Sequence, residues 1–129
     1  MRWFIVVSLL LVACQSNDSM SEGERLVYVI GCVECHHQTP KQIINAPPLT
    51  VTQKYSLQEF STLLRTGKTQ SGRDLAKIGN IMGIVAVEQF SLLTNAEVRA
   101  IYNYLRNDWT EKQAAKEEAK ISKLYKKEK

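Results

Sequence analysis

The chain has 129 residues and a formal charge of +4, which gives room for one domain with one core and excludes a second. Residues 21–107 hold 9 basic groups against 7 acidic, and residues 108–129 hold 7 lysines against 5 acids, so no basic cluster in the core supports nucleic-acid binding. Three cysteines, an odd number, require each thiol to be accounted for separately.

The first thirteen residues, one Arg followed by an unbroken apolar run, form a signal-peptide pattern and are too short to span a bilayer, which takes about 20 apolar residues. Their end, Leu11-Val12-Ala13-Cys14, resembles the lipobox of bacterial lipoproteins, in which the cysteine is lipidated and becomes the first mature residue. Lipidation at Cys14 anchors the folded part to a membrane without crossing it, on the periplasmic side of a bacterial membrane. Gln15 follows where an Asp would mark retention at the inner membrane in enteric bacteria, which tilts the resemblance toward the outer membrane. Residues 15–20 are polar and read as a tether.

Ser21-Glu22-Gly23-Glu24 has capping-box spacing, and Leu26, Val29, Ile30 and Val33 continue at helical intervals, so a first helix is expected to run straight into Cys32. Ser56-Leu57-Gln58-Glu59 repeats the cap, with Leu57, Phe60, Leu63 and Leu64 as a stripe and Gly67 as the stop. The stretch containing Gly67, Gly72, Gly79 and Gly83 reads as loop, and the apolar run 81–87 within it has no second strand to pair with. A third box, Thr94-Asn95-Ala96-Glu97, opens a helix carrying Val98, Ile101, Tyr102 and Leu105. The fold class is therefore all-α: short helices and long loops, with too little apolar core to close on itself. From Asp108 the composition shifts to Lys, Glu and Ala. Residues 108–129 form a charged tail, either a solvated helix or a basic arm that docks on anionic lipid or an acidic partner.

Cys32-Val33-Glu34-Cys35-His36 is a C-x-x-C-H motif, the spacing of covalent haem attachment. Two thiols add across the vinyl groups of one porphyrin edge, and the next residue brings its imidazole to the iron as proximal ligand. A Cys32–Cys35 disulfide leaves His36 unexplained, a zinc site lacks a second ligand pair, and a thioredoxin-like pair lacks its βαβ unit. With Cys14 assigned to lipid, no thiol is left over. His37 is bonded to His36 and cannot reach the other face of the same ring, Met1 leaves with the leader, and Met20 sits in the tether. Met82 remains as the distal ligand, against the bland reading of a gap-filling core methionine. Pro47, eleven residues beyond His36, is either an acceptor for the imidazole's second nitrogen or part of a plain rigid turn.

These residues together resemble the class I cytochrome c family over about residues 21–107: Gly31 through His36, Pro47-x-Leu49, the glycine stretch with Met82, and the segment from Phe90 to Arg106. The resemblance implies the class I cytochrome c fold, one covalent haem c, Pro47 as carbonyl partner of His36, Met82 on the distal iron, and first and last helices in crossing contact. It is nearest to the cytochrome domains that serve periplasmic alcohol and aldehyde dehydrogenases. It implies a carrier of single electrons between a dehydrogenase or respiratory complex and a terminal acceptor, with no bond-making of its own. The rival is a haem enzyme or gas sensor with an open distal site. Two departures from the family pattern stand out: Gly83 replaces the proline that often follows the ligand methionine, and Ala46 replaces the glycine before Pro47.

Overall fold

Ser21, Ser56 and Thr94 each start a helix by accepting a hydrogen bond from the backbone N–H three residues on, to Glu24, Glu59 and Glu97 respectively. The computed structural model describes residues 20–40, 42 and 44–127; the leader, Cys14 and most of the tether lie outside them. Six α-helices follow in order: α1 Glu22–Val29, α2 Cys32–His36, α3 Leu57–Thr66, α4 Ile81–Glu88, α5 Asn95–Asn107 and α6 Glu111–Lys126. Among the described residues no strand forms, apart from one isolated bridge between Lys68 and Asp74. The all-α expectation holds.

The boxes at Ser56 and Thr94 are complete, with the Glu59 and Glu97 carboxylates accepting from the cap N–H groups at 2.8 Å. At Ser21 one half of the box is present, the Ser21 side chain accepting from the Glu24 N–H. Burial, together with the nearby Tyr28 and Glu24, holds the Tyr104 phenol well above its ordinary value. Gly67 ends α3 in the left-handed conformation, as its position predicted.

α1 and α5 cross at Gly23. A Cβ there would collide with the carbonyl oxygen of Ala100, so the two backbones meet with no side chain between them. Around this crossing Leu26, Val27, Val98, Ile101 and Leu105 are almost wholly buried. The implied contact of first and last family helices is thus present.

Two expectations are corrected. α1 does not run into the cysteine motif: Gly31 adopts φ 79°, a left-handed conformation that a side chain disfavours, and a separate helix begins at Cys32. The run 81–87 is not loop but α4, capped by Asn80, whose side chain accepts from Met82 N–H at 3.0 Å. Its apolar residues surround the whole helix, so they give no periodic signal.

The tail is helical. α6 leans on the domain through partly buried Ala114 and Ile121 and through Glu118, which accepts from Gln38 N–H at 3.1 Å. Leu124 of the same helix is 63% exposed.

Gly23→Ala is expected to destabilise the fold by about 1–3 kcal/mol through overpacking at the crossing, read as a lower urea midpoint of the haem-loaded protein; a loss under ~0.5 kcal/mol would show that the helices separate at little cost. The cap N–H groups of Ser56 and Thr94 hold the Glu59 and Glu97 carboxyls below the usual carboxylate range. The stability they contribute is present above an unfolded carboxylate value of about 4.3 and lost as pH falls through the folded values. Acid titration should therefore show Glu97→Gln less stable than the unaltered protein at neutral pH, with the difference between the two shrinking as pH falls below about 4.

Candidate functional site

A cavity of about 560 Å³ opens between α2, α3, α4 and the loop before residue 49. Cys32, Cys35 and His36 line it from α2, Pro47 from the loop and Met82 from α4. The floor is apolar, with Phe60, Leu64 and Ile101 among its walls.

His36 is fixed by its ring. Nδ1 lies 2.6 Å from the carbonyl oxygen of Pro47. A carbonyl only accepts, so Nδ1 carries the proton and Nε2 keeps the lone pair that can bind a metal. Burial lowers the imidazole's pKa, opposed by the Pro47 bond, and so favours the neutral form. The loop that delivers Pro47 is tied down by amides: Gln42 donates to the carbonyls of Cys35 at 3.0 Å and Ala46 at 3.1 Å, and Gln38 donates to Ala46 at 3.0 Å. Of the two readings of Pro47, the acceptor has its geometry here.

Cys32 and Cys35 carry free thiols. Burial, with the Glu34 carboxylate beside it, pushes the Cys32 thiol up to about 12. Among the described residues no group of three or more His, Cys, Asp or Glu side chains is arranged to hold a bare metal ion. The donor set suits a large apolar group that brings its own metal: two thiols and one imidazole on a five-residue helix, a thioether from another helix, and a greasy volume between.

His37 is close in sequence but apart in role. It is buried, with Nδ1 2.9 Å from the Thr39 hydroxyl. Met82 is partly buried at the second position of α4. Gly83 accounts for the missing proline: a Cβ there would run into the backbone of Leu75 and Ala76, so this helix start packs against a turn that only glycine admits. The exposed Arg73 also lines the cavity, as does Asn80. Sequence reasoning passed over Arg73, whose only signal was a cation beside Gly72 in the loop that shapes the cavity.

Gly83→Ala is expected to cost about 1–3 kcal/mol and to displace α4 from the 75–76 turn. Urea denaturation checks the first part and hydrogen exchange at Met82 and Ile84 the second; unchanged exchange would show that the turn gives way instead.

The family model for cytochrome c matches residues 20–109, well over half the chain, and takes in α1 through α5 with every cavity-lining residue named above. No curated protein and no solved structure matches the chain. With the thiols, the imidazole and the thioether gathered on one apolar cavity, the match shows that the chain belongs to the cytochrome c family, electron-transfer proteins that carry covalently attached haem c.

Proposed function

We propose that this chain is a membrane-anchored, periplasm-facing carrier of single electrons, with one haem c held by thioether bonds from Cys32 and Cys35. The observation that carries the reading is the convergence of Cys32, Cys35, His36 and Met82, from two separate helices, on one cavity of about 560 Å³. Haem c supplies a one-electron ferric/ferrous couple when bound.

The chain's own groups set the properties of that couple. His36 offers Nε2 as proximal ligand, and the Pro47 carbonyl holds the ring in the tautomer and orientation that ligation needs. The Met82 thioether, as distal ligand, favours ferrous iron and raises the reduction potential relative to a second imidazole. Asn80 fixes the start of α4, and with it the backbone of Met82. Arg73 is a cation placed to meet the carboxylates of the group. Apolar walls keep water out and thus limit the reorganisation that accompanies each electron.

Ile81 lines the cavity and is itself 51% exposed, and Ile84 and Val87 continue outward along α4. This apolar lip suits transient docking of redox proteins: a periplasmic dehydrogenase, such as an alcohol or aldehyde dehydrogenase, or a respiratory complex as donor, and a terminal oxidase or reductase as acceptor. The lipobox-like Leu11-Val12-Ala13-Cys14 supports an acyl anchor at Cys14. No bond is made or broken in a substrate on this reading. Among the described residues no helix is long and apolar enough to cross a membrane.

The purified full chain is expected to give a low-spin ferric absorption spectrum that cyanide changes only slowly and a ferrous form inert to CO. Met82→Ala should open the iron, bind cyanide rapidly and lower the reduction potential. A high-spin resting spectrum with rapid cyanide binding in the unaltered protein would move the assignment to a haem enzyme or gas sensor.

A further inference from the structure

We propose that the outer face of α6 is a landing surface for anionic lipid headgroups, and that it sets how the anchored domain sits on its membrane. At 3.6 residues per turn, Lys112, Lys116, Lys120, Lys123 and Lys127 fall on one side of the helix, half a turn from Ala114 and Ile121. Ala114 and Ile121 pack against the domain, and all five of these lysines are exposed, with Lys126 beside them. The acids are sorted the other way. Glu117 is buried with its carboxylate 3.6 Å from the Lys120 ammonium, which draws that lysine toward the domain, and Glu118 is spent on the backbone N–H of Gln38. Only Glu111, in the first turn, is an exposed acid of α6. The near balance of charge along the tail sequence therefore conceals a face that is cationic to the outside.

The packing also fixes how such a face can bind. A helix that enters a bilayer interface needs its apolar side free. Here Ala114 and Ile121 are committed to the protein and, of the large apolar side chains, only Leu124 stays exposed, so attraction is left chiefly to the lysines and must be screened by salt.

The position of α6 favours lipid over an acidic redox protein. No residue of α6 lines the haem cavity; its contacts lie behind α2, where Ala114, Glu117 and Glu118 border a water-sized space with His37 and Trp109. An electron-transfer partner seated on α6 would have that helix between itself and the cavity, on elements other than those that form the Ile81 lip. A membrane surface seated there leaves that lip open to soluble partners. The inference rests on the anchored reading only for the nearness of the membrane: residues 15–20 reach at most about 20 Å when extended.

The test is lysine footprinting of the mature, haem-loaded protein on vesicles of phosphatidylcholine alone or with about one-third phosphatidylglycerol. An amine-acylating reagent is read lysine by lysine by mass, and the mass of the N-terminal peptide separately reports whether Cys14 is acylated. Without acylation the protein is added to the vesicles from solution and the same comparison is made. Lys112, Lys116 and Lys123 are expected to react about fivefold more slowly on the anionic vesicles at low salt. Lys68 and Lys77 should react equally on both, and the protection should vanish near 0.5 M salt, where the Debye length falls to a few Å. The triple change Lys112→Gln, Lys116→Gln, Lys123→Gln, with its haem spectrum retained, should abolish the residual protection of Lys120 and Lys127. Equal labelling of α6 on both vesicles would overturn the proposal. So would protection seen in native membranes but not on protein-free anionic vesicles, which would assign the face to an acidic protein.

Discussion

The direct backbone contact between α1 and α5 at Gly23 is the constraint on which the rest of this molecule depends. It sets the level at which α1 ends, and Gly31 then turns the chain so that Cys32, Cys35 and His36 come off a short separate helix toward the cavity. α5 contributes the opposite service. Tyr102 donates to the carbonyl of Tyr55 at 2.9 Å, and Arg106 reaches the carbonyls of Gln53 and Tyr55, so the segment after Pro47 is clamped to the same helix that α1 crosses. The imidazole and its carbonyl partner, eleven residues apart in the chain, are thereby held by one pair of helices.

The other wall is built from different materials. α4 is positioned not by an amphipathic face but by a cap at Asn80, a backbone bond from Asn80 N–H to the Leu75 carbonyl at 2.9 Å, and the close seat of Gly83 on residues 75–76. Arg65 joins this side to α5, donating to the Ser91 carbonyl and to the Asn95 side chain. The cavity therefore has one wall set by helix crossing and one set by local backbone geometry, with the interior left for a group that the chain does not itself supply.

This difference decides what could be read from sequence. α3 and α5 were legible because their starts are marked by hydroxyl-to-glutamate boxes and their faces alternate apolar and polar at helical spacing. The C-x-x-C-H motif was legible because its chemistry fixes its spacing. α4 was not legible, since a helix apolar on every side carries no period, and Gly79 stands before it and Gly83 inside it. Nor was the break at Gly31, because the apolar residues on either side of it keep a helical interval. The loop of residues 37–48 gave only Pro47 as a clue. What holds it, Gln38 and Gln42 bonding to carbonyls up to eight residues away, has no sequence signature. The single exposed Arg73 gave none either, since one cation in a loop is the commonest of surface features.

The seam between α6 and the domain differs in kind from the α1–α5 crossing. It includes a buried Glu117, a side chain-to-backbone bond at Gln38, a Lys120 ammonium 6.0 Å from the Tyr28 ring, and a Trp109 indole N–H that meets no protein acceptor, with Ala114 and Ile121 as apolar contacts. This seam lies over the outer side of Val33, His36 and Leu49, of which His36 and Leu49 also line the cavity. α6 thus backs the cavity from outside: a change in its seat reaches the proximal imidazole through the same few residues that it covers.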